Sequence, residues 1–226
     1  MLLFSMCQMY IKLFNPPNIQ LKFFMFFSEA YKTHWWGPPR IASRALMTIP
    51  RALGFQDNKD GHSLTVINPD WDVVYPIRNP YSRAVSWWNL RHNGRDSAVK
   101  KDHISFEEFI KKPDNEYFNI KPTHHWEPIS MVEKSSLKVR NIIRYEHLVD
   151  DLLEIDFIKE NLHVLSDELY VLKYKSRDNY RQEYISRTNY PVHSFYSQEL
   201  ADIVWENKKF EFIGGDYKRD SWKYLF

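Results

Sequence analysis

The sequence predicts one α/β domain built on a central, mainly parallel sheet, and three observations carry that expectation. Val73, Val74 and Ile77 form one β-branched apolar run, and Val139 to Tyr145, with Ile142 and Ile143 central, forms a second. Such runs suit buried strands. Each run leads into a helix-forming stretch, and strands alternating with helices imply crossover units and a parallel sheet. At 226 residues the chain is long enough for one domain with a sizeable core. We expect that domain to span residues 28–226, with 1–27 an N-terminal segment of uncertain standing.

The elements follow in order. Residues 1–27 are apolar in patches, broken by Lys12, Pro16, Pro17, Gln20 and Lys22. No run there reaches the roughly 18–20 apolar residues needed to span a bilayer. A signal peptide fits poorly, because a positive start and a small-residue cleavage site are missing. The patch is read either as a docking segment or as a stretch ahead of a true start at Met25. Ala30 to Trp36 is expected as a strand entering the Gly37-Pro38-Pro39 turn. Ser43 to Leu53 has helical spacing at Leu46, Ile49 and Leu53, and Pro50 is expected to kink or end it. Gln56 to Gly61 is rich in turn residues.

The strand from Asp72 to Ile77 contains Pro76, which removes a ladder hydrogen bond, so a bulge or an edge position is expected there. Asn79 is a good N-cap and Pro80 suits the first helical position. Ser105-Phe106-Glu107-Glu108 is a capping box that opens a short helix to about Lys111. Phe195 to Phe210 reads as an amphipathic helix, with Leu200, Ile203 and Val204 on one face and Gln198, Glu199 and Asp202 on the other.

Composition narrows the function classes. A net charge of +2 is too mild for duplex nucleic acid, which calls for basic stripes. The lone cysteine, Cys7, permits neither an internal disulfide nor a cysteine-based zinc site. With no Asn-x-Ser/Thr acceptor in the sequence, a reducing, cytoplasmic setting is expected. No GxxxxGK[ST] and no GxGxxG occurs, so an ordinary ATP or NAD site lacks its signature.

The most informative stretch is Arg78-Asn79-Pro80-Tyr81-Ser82-Arg83-Ala84-Val85-Ser86. Arg78 ends a strand, and Ser86, eight positions on, lies about two turns into a helix. In open α/β sheets, ligands bind at the carboxyl ends of the strands. A guanidinium there suits phosphate or sulfate. The arrangement resembles the 3′-phosphate motif of sulfotransferases, the enzymes that use 3′-phosphoadenosine 5′-phosphosulfate (PAPS) as donor. The resemblance implies that Arg78 and Ser86 hold the nucleotide 3′-phosphate and that Arg83 supports them from the next turn. It also implies a P-loop NTPase-like, three-layer α/β fold.

Further segments extend the resemblance, which runs from about Arg40 to Tyr217. Pro39-Arg40-Ile41-Ala42-Ser43-Arg44-Ala45 is similar to the family's loop for the 5′-phosphosulfate, with Arg40 where the family has Lys. Small residues let the backbone wrap a phosphate at a helix start. Arg40 to Ala45 are the implied donor-binding residues, and Arg40 would also stabilise charge on the departing 3′-phosphoadenosine 5′-phosphate (PAP). His62, after Gly61, matches a Gly-His pair that supplies the general base in the heparan and dermatan 2-O-sulfotransferases. His125, in His124-His125-Trp126-Glu127-Pro128, matches an H-W-x-P segment of carbohydrate sulfotransferases and is the second candidate base. A solvated turn around His62 and simple packing of Trp126 remain open. No metal is expected, since zinc-like ligand spacing is absent. Ile142 to Leu148 resembles a strand-to-helix element in which Glu146 is structural support. Among the basic residues from Lys175 to Arg187, Arg187 is the implied phosphate contact. Tyr196 through Phe212 resembles the family's ending, with Glu211 in place of Asp.

These readings imply a sulfotransferase that moves a sulfuryl group from PAPS to a hydroxyl or amine, with a glycan or another small hydroxylated acceptor. No nucleic-acid partner and no transmembrane segment are expected. A Golgi lumen is the alternative compartment for a eukaryotic relative. A non-catalytic module binding PAP or a sulfated glycan on the same fold is the second reading, motivated by Arg40. A P-loop nucleotide kinase is the third, against which the missing Walker sequence counts.

Overall fold

The computed structural model describes residues 24–37, 46–57, 68, 70–93, 104–112, 138–170, 172 and 190–225. Five strands form one sheet in the order β3-β1-β2-β4-β5. They are β1 (Phe24–Ser28), β2 (Thr33–Gly37), β3 (Gln56–Asp57), β4 (Asp72–Ile77) and β5 (Lys138–Arg144). β2, β4 and β5 run parallel, whereas β1 is antiparallel to both β2 and β3. The expected mainly parallel sheet is thus a mixed one, parallel only in its β2-β4-β5 half.

The strand expected over Ala30 to Trp36 is β2, and it starts later because residues 29–32 are a turn. The turn is fixed by side chains: the Tyr31 amide donates to Ser28 Oγ at 3.3 Å, and Thr33 Oγ1 donates to the Tyr31 carbonyl at 2.8 Å. Lys32 adopts a left-handed φ of 46° without being glycine. β1 crosses the boundary drawn between residues 27 and 28, so residues 24–27 belong to the sheet.

Pro76 is accommodated by an edge position on the β2 side. The β2 ladder ends at the Trp35–Val74 pair, so beyond it β4 is an edge on that side. The β4–β5 ladder carries an irregularity between Val73 and Val74, where Arg140 is the extra residue, and continues to the Ile77–Arg144 pair.

Alternation along the strands sends Trp35, Val74 and Ile143 to one face and Trp36, Val73 and Tyr75 to the other. The first face is covered by α1 (Thr48–Ala52), α4 (Leu148–Leu152), α5 (Asp156–Glu160) and α6 (Leu162–Tyr170), through Ile49, Leu152, Ile158 and Leu165. The helical stretch is interrupted at Met47, one turn before Pro50, and Pro50 lies inside α1. It is the third helical residue, where the amide has no partner within the helix in any case.

A second core joins α2 (Pro80–Asn93), α3 (Phe106–Lys111), α7 (Gln198–Asn207) and α8 (Lys209–Gly214) around Tyr81, Val85, Phe109, Ile110, Val204 and Phe212. The capping box of α3 forms as expected: the Glu108 amide donates to Ser105 Oγ at 3.1 Å, and the Ser105 amide donates to Glu108 Oε2 at 2.7 Å. The single helix expected from Phe195 to Phe210 is instead a short 3₁₀ turn, α7 and α8, with the break at Lys208. Of the apolar face expected, Leu200 and Val204 are buried and Ile203 is half-buried, and Ala201 is buried beside them.

Candidate functional site

The site is built where β4 passes into α2. Arg78 directly follows the last residue of β4. Asn79 caps α2, its Oδ1 accepting the Tyr81 amide at 3.0 Å and its carbonyl accepting the Arg83 amide at 3.0 Å. The Asn79 Nδ2 group donates to Ser221 Oγ at 2.9 Å, and Tyr81 Oη donates to the Arg219 carbonyl at 2.6 Å. Two contacts to the C-terminal segment therefore fasten this turn from outside.

Arg78 is buried, and Ser82 and Tyr145 are among the neighbours of its guanidinium. Its Nε donates to Ser82 Oγ at 2.9 Å, and its Cζ lies 4.9 Å from the centre of the Tyr145 ring. Ser82 is one turn along α2, and half-buried Ser86 is one turn further on the same face. Ser82 and Ser86 thus follow Arg78 at one-turn intervals from the carboxyl end of a central strand.

Glu146 supports this segment from the 3₁₀ turn after β5 (Tyr145–His147). Its Oε1 accepts the Asn79 amide at 3.0 Å and faces Ser82 Oγ at 3.4 Å. Its Oε2 accepts the Tyr217 hydroxyl at 2.5 Å. Burial, and after it the Glu146 carboxylate, push the Tyr217 phenol far above its ordinary value, so it remains a donor. Arg144 forks onto Asp151 with 2.9 and 2.6 Å bonds, tying the end of β5 to α4.

Arg83, expected as support for the site, packs toward α8. It lies about 100° around α2 from Ser82. Its Nη1 donates to Glu211 Oε2 at 3.1 Å, while Lys208 Nζ lies 3.4 Å from Glu211 Oε1. All three side chains are buried. Arg83 therefore braces α2 against α8 through a buried ion pair. Desolvation raises the Glu211 pKa, but Lys208 and Arg83 outweigh it and hold the carboxyl below its ordinary value. Burial lowers Lys208 against the opposing pull of Glu211.

Of the remaining candidates, Arg40, Ile41, Ala42, Ser43, Arg44, Ala45, His62, His125 and Arg187 lie outside the described residues. Among the described residues, Arg78 ends β4 and Ser86 lies within α2. The structure adds Ser82, Tyr145 and Tyr217, which sequence reasoning missed. Ser82 sits midway between Arg78 and Ser86 at helical spacing, a signal that could have been read. Tyr217 carries no such signal, being 71 positions from Glu146.

Among the described residues no helix is long and apolar enough to cross a membrane. No group of three or more His, Cys, Asp or Glu side chains is placed there to hold a metal ion. The fold and site define a mixed α/β domain with a buried arginine at the carboxyl end of a central parallel strand. No family model, curated protein or solved structure matches the chain.

Proposed function

We propose that this chain is a PAPS-dependent sulfotransferase on a P-loop-like α/β fold, acting on a hydroxyl or amine acceptor, with a glycan as the preferred class. The observation that carries the reading is Arg78, in contact with Ser82 and Tyr145 at the carboxyl end of β4, with Ser86 two turns into the helix that follows. In this reading Arg78 and Ser86 take the 3′-phosphate. The adjacent parallel strand β2 supports it. β2 ends at Gly37, on the same sheet edge as Arg78, and leads directly into residues 38–45, the proposed loop for the 5′-phosphosulfate.

In the proposed reaction the acceptor oxygen or nitrogen forms a bond to sulfur as the bond from sulfur to the phosphate oxygen breaks. PAP departs, and His62 or His125 takes the acceptor proton. Arg40 stabilises charge on PAP. The test is thermal stabilisation by PAP, by ADP and by ATP with Mg²⁺, for wild type and Arg78→Ala. Ligand at about 100 times its dissociation constant adds roughly 2.7 kcal/mol to stability. A shift with PAP alone that is lost in Arg78→Ala supports the donor site. Equal shifts with PAP and ADP, or none with PAP, refute it. A PAP shift without transfer from labelled PAPS leaves the binding module as the function.

A further inference from the structure

Glu146 touches the Arg78 turn at two points, the Asn79 amide and Ser82 Oγ, and the latter also accepts the Arg78 Nε–H. We propose that Glu146 is a positioning residue for the anion site at Arg78, acting through Ser82 and the Asn79 amide. The inference rests on the sulfotransferase reading and names what sets that site's preference for a 3′-phosphate.

The argument follows the protons. Arg78 Nε–H donates to Ser82 Oγ, so the Ser82 hydroxyl proton must point away from Arg78. Two acceptors wait on that side, the Asn79 carbonyl at 3.1 Å and Glu146 Oε1 at 3.4 Å. The same Glu146 oxygen accepts the Asn79 amide at 3.0 Å, an amide at a helix start with no intrahelical partner. One carboxylate oxygen therefore draws on both ends of the segment from Asn79 to Ser82. Tyr145, whose ring lies against the guanidinium, is the residue before Glu146 on the same turn. Tyr217 holds the second carboxylate oxygen and so fixes the whole piece. Bidentate phosphate recognition depends on the plane of the guanidinium, and these contacts set that plane. Without the carboxylate, the ring and the hydroxyl lose their common anchor.

The test measures equilibrium binding of PAP and of adenosine 5′-monophosphate to the full chain. The ratio of the two dissociation constants reports the 3′-phosphate contact alone. A general loss of structure weakens both ligands and leaves the ratio unchanged. Wild type is compared with Glu146→Gln, Ser82→Ala and Tyr217→Phe. The last keeps the ring and serves if the first does not fold. The expected result is a preference for PAP that falls about tenfold in Glu146→Gln and Ser82→Ala and also falls in Tyr217→Phe, the scale of one weakened charge-assisted hydrogen bond. A wild-type preference that survives within about twofold in all folded variants overturns the role of Glu146 while leaving the donor-site reading intact. A wild type that binds both nucleotides equally overturns that reading and this inference with it.

Discussion

Replacing Glu211 with Gln removes one charge and almost no volume, from a position where two cations converge. Each carboxylate oxygen serves one of them: Oε2 takes Arg83 at 3.1 Å, and Oε1 faces Lys208 at 3.4 Å. None of the three side chains is more than 6% exposed, so water cannot replace the lost charge. Removing one member of a buried ionic cluster typically costs about 3–5 kcal/mol, because the remaining charge stays buried. For a domain of this size that corresponds to a melting temperature lower by roughly 10 °C.

The loss also carries a pH signature. Burial already holds Lys208 below the ordinary lysine value of 10.5, and Glu211 opposes that shift. Without Glu211 the folded-state value falls further. A lysine depressed in the folded state binds fewer protons there than in the unfolded chain, so stability rises with pH between the two values. The deficit of Glu211→Gln therefore narrows as pH is raised from neutral toward 10.5. Urea denaturation at several pH values measures it. Glu211→Gln combined with Lys208→Met is expected to be more stable than Glu211→Gln alone. A cost below about 1 kcal/mol with an unchanged urea slope would refute the account of Arg83 as a core ion pair.

Two further perturbations test other parts of the fold. His34 Nε2 donates to the Asn68 carbonyl at 3.0 Å, and its buried Nδ1 has no partner among the described residues. Burial lowers its pKa from 6.5, with the Asn68 bond opposing, so the unfolded state takes up the proton first. Stability is then fully present above 6.5 and falls as pH drops below it toward the folded value, by at most about 1.4 kcal/mol per pH unit. Urea midpoints across that window are expected to fall less in His34→Gln; identical slopes would count against it. At Gly215, an added Cβ would overlap the Tyr217 ring, whose hydroxyl is pinned on Glu146. Gly215→Ala is expected to destabilise by about 1–3 kcal/mol, as overpacking does. The cost should largely vanish in a Tyr217→Ala background, and a double-mutant cycle without coupling would disprove the contact.

The elements legible in the sequence were those whose signals are local. The β-branched residues of β4, the Asn79-Pro80 helix start and the Ser105 capping box each act within a few positions, and each forms as read. β1 escaped because its Phe-rich run neither alternates nor ends in Gly or Asn; the turn behind it relies on Ser28, Thr33 and a left-handed Lys32. The break between α7 and α8 escaped because Lys208 reads as a solvated residue, although Glu211 draws it into the core. The Glu211 partner of Arg83 was illegible for the same reason. It lies 128 positions away, and residue type alone does not separate an arginine that binds a ligand from one that neutralises a buried carboxylate.

The contacts that complete the Arg78 turn also fix when it can exist. Its holds on Glu146, Arg219 and Ser221 reach across 67, 138 and 142 positions, and Tyr217 secures Glu146 in turn. Closing loops of that length comes late in folding. A nascent chain leaving the ribosome has β4 and the start of α2 long before it has their fasteners. A chain interrupted at residue 214 would hold every strand of the sheet and all eight helices described here, yet lack Tyr217, Arg219 and Ser221. Any anion chemistry at Arg78 would then be absent until those three residues have joined the fold.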